Sequence, residues 1–240
     1  MTAGVERIDL EIAYLLHARP YRESSRLLEI FSQRYGRVGL VANGARRPKS
    51  KWRGVLRSFQ PLRLSWSGRG SLQTLRAVEA SSGPFEISGL ALMSGYYLNE
   101  LLMLLMHRRD PHPHLFAHYG AALNALSEGG EPERILRRFE VSLLAEIGYG
   151  LVVDADVVDQ QPLEADRRYE YVVDRGPVPV DHDVPGELVF SGAELMAIGR
   201  GEFADPCQLR DAKRLLRPLL HSALGGRKLK TREVLASMLR

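Results

Sequence analysis

Two periodicities divide the chain. Up to about Ser82 the chain is patterned for strands; beyond Gly83-Pro84 apolar residues recur at helical spacing. The first regime predicts five strands. "LEIAYLLHAR" stops at Pro20, "SRLLEIFSQRYG" ends at Gly36, and "RVGLVANGA" places Val38, Leu40 and Ala42 on one side. "PLRLSWSGRGSLQTLRAVEA" reads as a hairpin. Leu62, Leu64 and Trp66 alternate, Gly68-Arg69-Gly70 turns, and Leu72 to Val78 returns.

The second regime predicts helices. "EISGLALMSGYYLNELLMLLMHRRD" stops before Pro111, and "PHLFAHYGAALNALSEGG" follows. "EPERILRRFEVSLLAEIG" has Glu131 and Glu133 in its first turn and Gly148 at its end. Residues 151–190 lose the helical pattern and are rich in Asp, Pro and Val, an irregular or strand-containing excursion. Helices return at "SGAELMAIGRGEF", "DPCQLRDAKRLLRPLLHSALGG" and "KTREVLASMLR". Ser191 with Glu194 forms a capping box, and Pro206 after Asp205 is a first-turn proline. Five short strands with one long connection between the third and fourth predict a small closed barrel of the OB-fold type. The expected class is α+β: an OB-fold at 1–82, then a helical domain at 83–240 with an irregular, cysteine-free insertion.

Charge sharpens this division. The 240 residues carry a net charge of only +4. Residues 1–80 hold 15 Lys/Arg against 6 Asp/Glu, net +9, and residues 151–190 hold 3 against 10, net −7. Residues 191–240 hold 10 against 5, net +5. A basic first third and a basic tail suit a polyanion partner on particular surfaces. The single cysteine, Cys207, excludes an internal disulfide and a cysteine-based zinc site, and fits a reducing, cytoplasmic setting. Glu6, Asp9 and Glu11 interrupt what an export signal would need as an apolar core. The longest apolar run, Gly89–Met106, is broken by Asn99 and Glu100 and reads as a buried helix rather than a membrane span.

Catalytic patterns are weak. His107, His112, His114 and His118 cluster around Pro111 and Pro113 without a carboxylate or cysteine to complete a metal set, so a plain loop is expected. "DADVVD" (154–159) and "DHD" (181–183) raise the alternative of a divalent-cation nuclease, but lack the glycine and distal glutamate of a calcium loop. Neither GxxxxGK[ST] nor GxSxG occurs. No enzyme and no cofactor is expected.

The barrel does carry the parts for single-stranded nucleic acid, which is held by cations along its backbone and aromatic faces under its bases. The cations are Arg34, Arg37, Arg46, Arg47, Lys49, Lys51, Arg53, Arg57, Arg69 and Arg76, with Arg227, Lys228 and Lys230 added by "GGRKLKT". Tyr35, Trp52 and Trp66 are the aromatic candidates. Alternation assigns Trp66 to the core; Trp52, between Lys51 and Arg53, either anchors its loop or stacks on bases. Pro48 and the flanking Gly44 and Gly54 predict a mobile loop that orders on DNA. An RNA-binding OB-fold remains an alternative, because neither charge nor stacking separates the sugars.

The stretch "RPYRESSRLLEIFSQRYGRVGLVANGARRPKSKWRG", Arg19–Gly54, resembles the opening of the bacterial recombination mediator RecO family. Further collinear matches fall at "GRGSLQTLRAVEA" (68–80), "SGYYLNELL" (94–102), "LRRFEVSLLAEIGYG" (136–150) and "GGRKLKTRE" (225–233). The resemblance implies an OB-fold joined to a helical domain that binds single- and double-stranded DNA and anneals complementary strands. It also implies action with RecR to load RecA on strands coated by single-stranded DNA-binding protein (SSB), whose acidic, Phe-ended tail docks in the helical domain. Two departures stand out. The family's "V-A-K-G-A-R" lysine is Asn43 here, and the four zinc-binding cysteines of many relatives are missing from 150–190, so packing alone is expected to hold that segment. For the SSB tail, Leu136, Phe139 and Leu143 at helical spacing, rimmed by Arg134, Arg137 and Arg138, suggest an apolar groove with Arg137 on the terminal carboxylate.

Overall fold

A computed structural model describes residues 6–181 and 188–238. Its first compact unit comprises the chain up to Gly129 together with the segment from Leu229 onward; the second runs from Gly130 to Lys228. Position 82/83 lies inside this first unit, between the last barrel strand and the first helix.

The first unit is built on five strands: β1 (Glu6–Tyr21), β2 (Ser25–Ser32), β3 (Gly36–Ala42), β4 (Pro61–Gly68) and β5 (Leu72–Ala80). They close in the order β1-β2-β3-β5-β4, with β3 and β5 parallel and the other pairs antiparallel. Closure depends on the length of β1. Its first half pairs with β4 and its second half with β2, and Ala13 sits opposite both Leu62 and Ser32. Register shifts between Ile8 and Glu11 and between Leu15 and His17 supply the bends that let one strand serve two neighbours. The alternating residues read from the sequence fill the interior: Val38, Leu40, Ala42, Leu62, Leu64 and Trp66 are all buried, together with Leu28 and Ile30 of β2.

On β2 the opposite face is buried as well, because helices cover it. Phe31 meets Phe116 at 5.3 Å between ring centroids, and Tyr14 meets Tyr119 at 5.0 Å. These contacts seat α2 (Pro113–Ser127) on the barrel, and α1 (Gly89–Leu105) is tied to it through Asn99. Asn99, one of the residues that broke the apolar run, is buried here. Its Nδ2 donates to the Leu16 carbonyl at 2.9 Å, and its Oδ1 accepts from the Tyr119 hydroxyl at 2.5 Å. Burial pushes the Tyr119 phenol well above its usual range. Glu100, the other interruption, caps α6 (Lys230–Met238): its carboxylate accepts from the Lys230 and Thr231 amides at 2.8 and 2.9 Å. Two polar residues that argued against a membrane span thus satisfy buried carbonyl and helix-end groups. Among the described residues no helix is long and apolar enough to cross a membrane.

The second unit contains α3 (Pro132–Glu146), α4 (Gly192–Arg200) and α5 (Pro206–Ala223). The capping box of Ser191 with Glu194 is present, and Asp205 caps α5 just before Pro206. The excursion holds a small antiparallel sheet of order β7-β6-β8, with β6 Arg168–Val172, β7 Gly176–Pro179 and β8 Val189–Ser191. Ahead of it Asp156, almost fully buried, accepts from the amides of Asp159 at 2.7 Å, Val158 at 2.9 Å and Gln161 at 3.3 Å. The Asp159 bond foremost, with those from Val158 and Gln161 and the nearby Arg167 charge, holds this carboxyl below the usual range against the opposing effect of burial. Buried Tyr169 and Tyr171 accept from the Glu164 and Val152 amides, tying the incoming chain to the sheet.

Candidate nucleic-acid interface

The connection between β3 and β4 closes one end of the barrel as a run of turns. Arg46 N donates to Ser24 O at 2.8 Å, Arg47 N to Gly44 O at 3.1 Å, Ser50 N to Arg47 O at 3.0 Å and Arg53 N to Ser50 O at 3.1 Å. Its anchor is Trp52, buried in the barrel core with Ala45, Val55 and Leu56 packed around it. This corrects two expectations. The segment is a packed lid where a mobile loop was expected, and Trp52, only 6% exposed, is a core anchor rather than an open stacking face.

The lid's cations spread over the same end. Arg46 Nη1 donates to the Glu23 carbonyl at 3.2 Å in the β1–β2 turn. Lys51 reaches the opposite side, its Nζ 3.4 Å from the Arg76 carbonyl on β5 and 4.2 Å over the Trp52 ring. Arg53 donates to the Pro48 carbonyl at 3.2 Å. A cleft lined by Arg26, Ala45, Trp52, Arg53, Gly54 and Leu56 lies beside them. Arg47, Lys49 and Arg57 are exposed, and Arg76, also exposed, donates to Ser67 Oγ at 2.7 Å. Among the described residues no carboxylate pairs with Arg46, Arg47, Lys49, Lys51, Arg53, Arg57 or Arg76. Carbonyls orient several of these groups while leaving their charge uncompensated. Asn43 is part of the lid's fastening: its carbonyl accepts from Trp52 and its side chain from Ser25.

Two of the other predicted cations, Arg37 and Arg34, have structural partners. Arg37 is half-buried, bonds the Met103 carbonyl and lies 3.9 Å from Glu29, which also pairs with Arg108. Its side chain ties β2 and β3 to the last turn of α1, and its backbone pairs with Arg108 and Arg109 just beyond, which corrects its assignment to DNA. Gly36 belongs to the same contact: with φ at 60°, it approaches the Asp110 backbone so closely that a Cβ would collide with that carbonyl. Arg34 is held by Glu11, Nη2 to Oε2 at 2.6 Å, at the opposite end of β2 and β3 from the lid. Glu11 raises the pKa of Arg34, first by hydrogen bonding and then by its charge. Arg69 is exposed on the β4–β5 turn, next to Gly70, whose carbonyl accepts from Arg109 at 2.7 Å. Lys230 opens α6 in the first unit, while Arg227 and Lys228 are exposed residues of the second.

The predicted peptide groove on α3 is closed. Phe139 and Leu143 are core residues of the second unit, where α3 packs against α5 and α4. Arg137 is buried and pairs with fully buried Glu140 at 2.8 Å, so its guanidinium already serves a carboxylate of the chain itself. Leu136 is half-buried; Arg134 pairs with Glu131, and Arg138 donates to the Gly201 carbonyl at 3.1 Å. Trp66 is in the core, as its alternation required, with Tyr35 edge-on to it at 5.6 Å. His112 lies 3.2 Å from Asp110, and among the described residues no three His, Cys, Asp or Glu side chains could share a metal. Of the "DHD" pattern only Asp181 lies within the described residues. Arg26 and Arg109 were not among the predicted cations: in the sequence Arg26 is only one polar position on an alternating strand, and Arg109 only part of "HRRD".

Fold and charge together define an OB-barrel protein with one end of uncompensated positive charge, joined to a helical unit. Comparison with known proteins makes this specific. The family model "Recombination protein O N terminal" matches residues 10–84, and "Recombination protein O C terminal" matches residues 88–233. A protein of Azoarcus sp. named DNA repair protein RecO is 45% identical over 237 residues, covering 98% of each chain. Its namesake in Nitrosococcus oceani is 45% identical over 98% of this chain and 95% of its own. That of Coxiella burnetii is 43% identical over 96% of this chain and 99% of its own. The chain belongs to the RecO family of DNA repair proteins.

Proposed function

We propose that the protein binds single-stranded DNA across the lid end of the barrel, also engages duplex DNA, and anneals complementary strands without covalent chemistry. The observation that carries this reading is the set of lid cations left without carboxylate partners. Such charge repels itself unless a polyanion supplies the counter-charge, and it releases condensed counterions when it does. Annealing needs two phosphate chains at close range, which neutralising cations permit; no nucleophile or cofactor is required. Within the family's repair role, the protein acts in the cytoplasm with RecR to load RecA on SSB-coated strands. Contact with the SSB tail belongs to a surface other than the closed α3 face.

The test is a binding series with single-stranded DNA, the matching duplex and RNA across a salt range, with and without magnesium. Expected are DNA affinity falling steeply with salt and intact strands throughout. Strong preference for RNA would replace this reading with an RNA-binding one, and magnesium-dependent cleavage would replace it with a nuclease.

A further inference from the structure

At the end of the barrel remote from the lid, Arg34, Tyr35, Val38, Trp66, Gln73, Arg109 and Pro111 line a cleft of about 150 Å³. Its chemistry differs from that of the lid. Val38 and Trp66, both core residues, supply an apolar floor, and the half-buried Tyr35 ring stands edge-on to Trp66 at 82°. Gln73, 2% exposed, brings a carboxamide that can donate and accept.

The two arginines are fixed in place. Glu11 accepts from Arg34 Nε at 2.6 Å and from its backbone amide at 2.9 Å, and Ser32 donates to the same carboxylate at 2.9 Å. Glu11 compensates the Arg34 charge and fixes its guanidinium plane, whose Cζ lies 5.8 Å from the Tyr35 ring centre. Arg109 is held from both sides: its amide donates to the Arg37 carbonyl at 3.0 Å and its guanidinium to Gly70 at 2.7 Å. It does so at φ 60°, a conformation residues with side chains rarely keep unless their surroundings impose it.

An apolar floor, flat faces beside it, a carboxamide within and a cation at the rim are the features that recognise a nucleobase together with its phosphate. We propose that this cleft takes one unstacked nucleotide of a bound single strand, its base against Tyr35 and the Arg34 plane with its edge on Gln73. The phosphate of that nucleotide meets Arg109 and the neighbouring Arg69. The inference rests on the single-strand reading above and adds a base-reading subsite at the far end of the barrel. The lid grips phosphates, while this cleft holds one base out of the stack.

The test compares a thymidine oligomer with a fully abasic oligomer of equal length and charge, in competition binding to the full chain. The unaltered protein should prefer the base-bearing strand by about tenfold. Gln73→Leu, which keeps the buried volume, and Tyr35→Ala should each cut that preference at least about threefold, with affinity for the abasic strand unchanged. Two variants at different depths guard against a folding defect in either, which circular dichroism would show. Equal affinity for both strands in the unaltered protein overturns the subsite while leaving strand binding intact. A preference that survives both variants also overturns it, because the base is then held elsewhere. Failure to bind either strand overturns both readings together.

Discussion

The Trp52 indole N–H donates to the Asn43 carbonyl at 2.9 Å, drawing the lid back onto the strand it has just left. That bond, with burial of the ring in the barrel core, makes Trp52 the residue that holds the lid shut. Trp52→Phe should cost about 1–2 kcal/mol in stability, from the lost hydrogen bond and the volume left behind. Trp52→Ala should cost about 3–5 kcal/mol. Urea unfolding measures both. If the ring has no part in stacking, Trp52→Phe keeps single-strand affinity within about twofold, whereas loss of a stacked base would cost several times more.

Charge on the lid should act through phosphates alone. Replacing Arg46, Arg47, Lys49 and Lys51 together by Gln should lower DNA affinity. It should also make the slope of log K against log salt shallower by about 0.7 for each single-strand phosphate that is no longer neutralised. Thermal stability should change little, since these side chains are exposed and bond only carbonyls or lie over Trp52. An unchanged slope would mean that the strand bypasses the lid.

Local pattern made much of this fold legible, and distance in sequence hid the rest. Strand-forming composition, with alternation on β3 and β4, located the five strands, and the Ser191 and Asp205 caps were readable because their partners lie within three residues. The candidate site was less legible. Arg34 looks available in the sequence because Glu11 lies twenty-three residues away, and Arg37 because Met103 lies sixty-six away. Trp52 sits among cations in the chain, yet what surrounds it in space is barrel core. Arg137 is a different case. Glu140 stands one turn along the same helix, so an internal ion pair is readable from spacing, but two charged residues on a helix ordinarily read as surface.

That buried pair yields a prediction opposite to the one a peptide site would give. Arg137→Ala removes the partner of a fully buried carboxylate and should destabilise the second unit by about 3–5 kcal/mol. The double variant Arg137→Met with Glu140→Leu should recover most of that loss, because replacing a buried pair by apolar groups of similar size is often neutral. Thermal unfolding of the single and double variants decides the matter. A stable Arg137→Ala protein that fails only in peptide binding would restore the arginine to the surface role.

The excursion's dependence on Asp156 should appear in its response to pH. Its carboxyl titrates below the usual range in the folded chain, chiefly because the Asp159 amide bonds the ionised form, with the Val158 and Gln161 amides adding to this. A folded pKa below the unfolded one means that the unfolded chain takes up the proton first as pH falls. The stabilisation is therefore complete above the ordinary aspartate value of 3.8, which the unfolded chain keeps, and is lost as pH drops through the lower folded value. Asp156→Asn keeps the shape and removes the charge, so the variant should be less stable than the parent at neutral pH and nearly as stable once pH lies below the folded value. Denaturant midpoints across that range test this, provided both chains remain folded at the acid end. A difference between the two that stays constant with pH would show that the side chain acts through shape rather than through its ionised form.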